Sequence, residues 1–147
     1  MIFIFYLLQL FLFPWSKLFM YKFKNVLIVD DDYISNFIAD HLLNKLKVCD
    51  TVSFSRNGDE ALTYLKECTE FPEMILLDIN MPVMDGFEFI EAFQKFNMDK
   101  HKTRIVIYTS SFNTKDIEVL KGIGFNDFII KPLTEEKLLH ILKLFEE

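Results

Sequence analysis

Four short apolar runs constrain this chain more than any other feature. They are residues 26–29 (VLIV), 74–77 (MILL), 105–108 (IVIY) and 128–130 (FII). A strand with one wet face alternates apolar and polar residues, whereas an unbroken run belongs to a strand covered on both faces. Residues 51–54 supply a fifth short strand. Between the runs lie stretches with apolar residues at helical spacing: Ile34, Phe37, Ile38, Leu42 and Leu46; Ala61, Leu62 and Leu65; Phe87, Phe89, Ile90 and Phe93; Ile117 and Leu120; and Leu138, Leu139, Ile141, Leu142 and Phe145. Strands alternating with helices predict an α/β fold of the (βα)5 type, a doubly wound parallel five-stranded sheet with helices on both faces.

Helix ends are marked as well. Asn57 and Glu60 stand at capping-box spacing, and Asn113 and Thr134 are placed to cap the fourth and fifth helices. Glu135 and Glu136 fall in the last helix's first turn, where the helix dipole favours negative charge. Gly122 and Gly124 close the fourth helix.

The 147 residues suit one domain with one core, and 51% hydrophobic content supports such packing. With 16 basic against 22 acidic residues and a net charge of -6, no dense basic cluster follows Lys24, which disfavours nucleic-acid binding. Cys49 and Cys68 form neither a CxxC pair nor a disulfide framework, so they read as small apolar side chains in a reducing, cytoplasmic compartment. His41, His101 and His140 are scattered and lack metal-ligand spacing.

Residues 1–20 form a separate hydrophobic extension, with residues 21–147 as the domain proper. Sixteen of these twenty are apolar and Lys17 is their only charge. One reading is a start placed too early, with Met20 as the natural beginning. Another is a membrane anchor whose carboxyl side, marked by Lys17, Lys22 and Lys24, is cytoplasmic. That run is shorter than the ~20 residues a spanning helix needs, and Pro14 interrupts it. A third is an extension that packs on the core or on a partner. A cleaved signal peptide is disfavoured, because no basic start and no small-residue cleavage site are present.

In doubly wound sheets, sites form beyond the carboxyl ends of the strands. Here those ends carry Asp30, Asp31 and Asp32, then Asp78, then Thr109, then Lys131. Each alone has a plain structural use as a cap, a turn residue or a solvated charge. Together they describe a chemistry. Clustered carboxylates repel one another unless a cation joins them, and Mg2+ prefers carboxylate, carbonyl and water oxygens. A carboxylate beside Mg2+ can attack phosphorus and form an acyl phosphate. Lys131 and Thr109 can supply the cation and hydroxyl that surround the transferring group.

With these residues the chain resembles the response-regulator receiver domains of two-component signalling. The resemblance rests on VLIVDDD, NGDEAL, MILLDINMPVMDGFEFI, IVIYTSS and DFIIKPL, in that order, and covers the chain from about Asn25 onward. It implies a flavodoxin-like receiver fold with Asp78 as phosphoacceptor. It implies an Mg2+ site formed by Asp30, Asp31, Asp78 and the backbone carbonyl of Asn80, with Asp32 not essential. It implies that Thr109 is the switch hydroxyl and Phe128 the switch aromatic, and that Lys131 binds the phosphoryl group, with a cis bond to Pro132 aiming it inward. Ser110 leaves room for the incoming group, and Asn80 and Ser111 occupy positions that tune dephosphorylation.

The same resemblance implies a sensor histidine kinase or histidine phosphotransfer protein as donor and a protein target downstream, reached through helix 4, strand 5 and helix 5. It implies a signalling module, not a conventional enzyme. Two rival readings fit the residues less well. A haloacid-dehalogenase-type phosphatase would use Asp30-x-Asp32, but Ile34 misfits its motif and no second acidic pair ends a late strand. A receiver-like module that never takes phosphate would lack one of the acids, the Thr or the Lys, and this chain keeps them all.

Overall fold

The computed structural model describes residues 23–96, 102–110 and 113–145. The readings for residues 1–20, and those for His101 and Ser111, lie outside the described residues. The strands are β1 (Phe23–Val29), β2 (Cys49–Ser55), β3 (Met74–Leu77), β4 (Arg104–Thr109) and β5 (Phe128–Ile130). The helices are α1 (Tyr33–Lys45), α2 (Gly58–Glu67), α3 (Gly86–Gln94), α4 (Thr114–Gly122) and α5 (Glu135–Leu144). The sheet is parallel throughout, in the order β2-β1-β3-β4-β5. The chain thus turns from one side of β1 to the other, which places the topological switch between β1 and β3. No helix among the described residues is long and apolar enough to cross a membrane.

The unbroken apolar runs are buried on both faces, as their composition requires. One face of the sheet packs on α1 and α5 through Ala39, Leu43, Leu138 and Ile141. The other packs on α2, α3 and α4 through Ala61, Leu65, Phe89, Ile90, Phe93 and Leu120. Strand alternation divides a single run between them: Val26 and Ile28 join the first core, Leu27 and Val29 the second.

Helical spacing misplaced the buried face of α1. Ile34 and Phe37 are exposed, and the buried positions are Ser35, Ala39 and Leu43, flanked by Ile38, Leu42 and Leu46. The physical reason is the helix start. Asp32 caps α1 by accepting from the Ile34 and Ser35 amides at 3.1 and 3.3 Å, which fixes the rotation of the first turn. Other caps stand where the sequence places them: Asn57 accepts from Glu60, Asn113 from Lys115 and Thr134 from Lys137. Glu60, however, returns its side chain to the Arg56 amide, one residue before the cap. The reciprocal capping box is found instead at Asp85 and Glu88 of α3. Cys49 is buried but Cys68 is only half-buried, and neither forms a disulfide among the described residues.

The segment joining β3 to α3 is under tight geometric control. The Gly86 amide donates to the Ile79 carbonyl at 2.9 Å. A Cβ at Gly86 would stand 2.6 Å from the Asp78 carbonyl oxygen and 2.8 Å from Ile79 Cα. Val83 has φ 71, and the Met84 amide reaches back to the Pro82 carbonyl at 2.8 Å, a tight three-residue turn. A β-branched residue there is strained. Two substitutions in this segment should therefore move stability in opposite directions in chemical denaturation. Gly86→Ala should lose about 1–3 kcal/mol, because the clash is with backbone. Val83→Asn should gain about 1 kcal/mol by relieving the left-handed backbone.

Candidate functional site

The sheet's own hydrogen-bond ladders deliver the site residues. Beyond β1, the Asp30 amide bonds the Ser55 carbonyl; beyond β3, the Asp78 amide bonds the Val29 carbonyl; beyond β5, the Lys131 amide bonds the Thr109 carbonyl, each at 2.9 Å. Asp30 and Asp78 thus end neighbouring strands at the switch point, and Lys131 ends the strand beside Thr109. Each lies one step past or at the end of an apolar run, where burial gives way to the polar rim.

Asp30, Asp31 and Asp78 each offer a carboxylate oxygen, and these oxygens lie within 4.8 Å of one another. Asp30 and Asp78 are buried, while Asp31 is exposed. Lys131 reaches into this group with its side chain only 9% exposed, its Nζ 2.6 Å from Asp30 Oδ2 and 3.2 Å from Asp78 Oδ2. The Lys131–Pro132 bond is cis. Asp78 Oδ1 accepts from the Ile79 amide at 2.8 Å and from the Asn80 amide at 3.4 Å. Two backbone donors therefore hold one oxygen while the other faces the ammonium.

Asp30 is held at its backbone too, because Asn36 Nδ2 donates to its carbonyl at 2.9 Å. Its Oδ1 accepts from the Asp32 amide at 3.0 Å. Its buried Oδ2 has the ammonium at ion-pair distance but no hydrogen-bond donor of good direction. A buried carboxylate oxygen met by an ammonium but by no backbone or hydroxyl donor, beside two further carboxylates, belongs to a donor set that suits a hard divalent cation. The residues present therefore fit Mg2+, with the Asn80 carbonyl following in the same loop.

Burial pushes the Asp30 carboxyl above its ordinary value, against the opposing pull of Lys131 and the Asp32 amide. Burial would depress Lys131, but its close ion-pair contacts with Asp30 and Asp78 outweigh it and hold the ammonium above its ordinary value. Asp32 is a different kind of acid. Ser35 Oγ donates to it at 2.6 Å, and this bond lowers its carboxyl. It belongs to the α1 cap and is not one of the three clustered carboxylates, which weakens a phosphatase reading built on Asp30-x-Asp32.

Thr109 closes β4 and is buried, whereas Ser110 is exposed. Thr109 lines a small crevice shared with Asn80, Asp116, Ile117, Leu120 and the half-buried Phe128. The residues expected as a switch pair therefore meet across one space. The sequence reasoning did not single out Asn36 or Tyr108. Asn36 belongs to none of the motifs, and Tyr108 lies inside the apolar run of the fourth strand. The described His41 and His140 are exposed, and His41 stacks on Phe37.

Comparisons with known proteins agree with this geometry. The family model described as "Response regulator receiver domain" matches residues 26–143. The rice protein named "Two-component response regulator ORR41", from Oryza sativa subsp. japonica, is 32% identical over 124 residues, 84% of this chain and 95% of the relative. The "Probable C4-dicarboxylate response regulator DctR" of Halalkalibacterium halodurans is 32% identical over 122 residues, 83% of this chain. There the chain spans about half the relative's length, 51%. The crystal structure of a two component response regulator from Cytophaga hutchinsonii superposes with a TM-score of 0.76 at 28% identity, covering 86% of this chain and 99% of that one.

The raised Asp30 carboxyl has a consequence for metal-free protein. A carboxyl raised on folding stabilises the fold fully below its unfolded value, and this contribution is lost as pH rises through the folded value. In chelator, the stability of Asp30→Asn relative to wild type should therefore climb as pH rises from about 4 toward neutrality. Urea unfolding at several pH values checks this.

Proposed function

Because the chain belongs to the response regulator receiver domain family, whose function is to accept a phosphoryl group in two-component signalling, we propose that Asp78 is the acceptor. The observation that carries this reading is the gathering of Asp30, Asp31 and Asp78 around the buried Lys131 ammonium, at 2.6 Å from Asp30 and 3.2 Å from Asp78. In the proposed step, a carboxylate oxygen of Asp78 attacks the phosphorus of a donor phosphohistidine. The new O–P bond forms as the P–N bond breaks, and the histidine nitrogen leaves with the electron pair. Lys131 and Thr109 stabilise the charge on the transferring group. Mg2+, held by Asp30, Asp31, Asp78 and the Asn80 carbonyl, would offset the repulsion among the carboxylates and the incoming phosphoryl oxygens.

The donor in this reading is a sensor histidine kinase or a histidine phosphotransfer protein. Exposed apolar side chains support a protein donor over a small molecule: Tyr33, Ile34 and Phe37 on α1 follow directly on the acidic residues, and Val83 projects from the loop after Asp78. Outward signalling would use α4, β5 and α5. Val119 and Ile130 are exposed on these elements, as is Ile123 at the end of α4, and a groove there is lined by Phe128, Leu139, His140 and Lys143. Movement of Thr109 toward the phosphoryl group, with Phe128 following, would connect the two ends. The domain acts on its own acyl phosphate and turns over no diffusing substrate. Work in the cytoplasm, a reducing compartment, suits a sequence whose two cysteines form neither a CxxC pair nor a disulfide framework.

Intact-mass analysis after acetyl phosphate and Mg2+ tests the reading. Wild type should gain one phosphoryl group and Asp78→Asn none, and omission of Mg2+ should abolish the gain. Phosphomonoester turnover that survives Asp78→Asn but not Asp30→Asn would replace this reading with the phosphatase one.

A further inference from the structure

Tyr108 is a fully buried aromatic one residue before Thr109, and its surroundings are not those of a plain core residue. The Lys131 ammonium lies over its ring, 5.1 Å from the centroid. Its hydroxyl lies 3.5 Å from the Ser35 carbonyl in the first turn of α1, and the Leu133 main chain also hydrogen-bonds it. Leu133 comes two residues after Lys131, and Ser35 four residues after Asp31. One side chain therefore touches the segment that carries the acids and the segment that carries the lysine. Leucine or valine would fill a core position in β4 without offering either contact.

Lys131 depends on such a contact. Its stem is long and its ammonium has two carboxylate partners at unequal distances, so ion pairing alone leaves its position free to vary. An aromatic face attracts a cation, and more strongly where water is excluded. The Lys131 side chain is 9% exposed, which puts it in the excluded regime.

We propose that Tyr108 is a positioning residue for the phosphoryl site, its ring fixing the Lys131 ammonium over the carboxylates and its hydroxyl tying that arrangement to the first turn of α1. This rests on the acceptor reading above for its functional meaning. The ring contributes the larger part, because the hydroxyl contact with Ser35 is long at 3.5 Å.

A double-mutant cycle on the full chain tests it, with Tyr108→Phe, Tyr108→Leu, Lys131→Ala and the Lys131→Ala/Tyr108→Leu pair. The rate of phosphoryl gain from acetyl phosphate is read by intact mass, Mg2+ affinity by titration calorimetry, and folding by circular dichroism. Tyr108→Phe should phosphorylate within about twofold of wild type and Tyr108→Leu roughly tenfold more slowly, as loss of a desolvated cation–π contact implies. With Lys131 already removed, the Leu substitution should change neither rate nor Mg2+ affinity further. Tyr108→Met serves in its place should the Leu variant not fold. An equal effect of the Leu substitution with and without Lys131, or none at all, overturns the proposal. Failure of wild type to gain a phosphoryl group would refute the acceptor reading instead, and the calorimetric cycle would still decide the role of Tyr108.

Discussion

Like-charge repulsion at one sheet edge is the constraint on which the site depends. Asp30, Asp31 and Asp78 place carboxylate oxygens within 4.8 Å of one another, and two of these acids are buried. Coulomb repulsion at such distances is worth a few kcal/mol at the effective dielectric of a protein surface, at about ε 20. Such an arrangement persists only where something compels it and something else offsets it. The compulsion comes from backbone: the ladder bonds of Asp30 and Asp78 to neighbouring strands cannot be broken without unpairing the sheet. The offset comes from the Lys131 ammonium, brought in by the adjacent ladder of β5 on β4. One ammonium does not balance three clustered carboxylates, so their donor oxygens suit a cation of higher charge.

Much of this was legible in the sequence because both halves of the argument are local. Unbroken apolar runs specify strands buried on two faces, and β3 and β5 were bounded correctly by that signal alone. The residue following each run must then lie at the sheet's carboxyl edge, so Asp30, Asp78 and Lys131 could be assigned to one place without coordinates. The extra residues of β1 and β2 escaped because Lys24, Asn25 and Asp50 break the apolar pattern while the backbone pairing continues, as Phe23↔Cys49 and Asn25↔Thr51 show. Pairing follows the ladder, whereas the pattern follows burial.

The error at α1 has a different origin. Ile34 and Phe37 satisfied helical spacing, yet they face solvent while Ser35 is buried. Spacing identifies a stripe but not which of two adjacent stripes meets the sheet. Here the Asp32 cap, with Ser35 Oγ bonded to it at 2.6 Å, turns Ser35 inward and leaves the larger residues outside. Apolar side chains left outside the core beside an acidic pocket are the surface on which the proposed donor would dock. The buried Ser35 and the exposed Ile34 and Phe37 are thus two results of one capping interaction.

The end of β4 shows how a single strand can serve both sides of such a site. Side chains alternate across the sheet, so Ile107 and Thr109 share one face and Tyr108 takes the other. Tyr108 belongs to the core beneath α1 and α5. Ile107 belongs to the opposite core with Phe128, and Thr109 shares a crevice with that aromatic. Two successive residues therefore divide the tasks. Thr109 faces the side through which a signal would leave, along Phe128 and α4, and Tyr108 faces the side that holds Lys131 and the start of α1. Because the pleat fixes this division, Thr109 could move in the proposed switch without disturbing the contact of Tyr108 with Lys131. A fold that separated them by loops would need two independent supports for what alternation achieves in one strand.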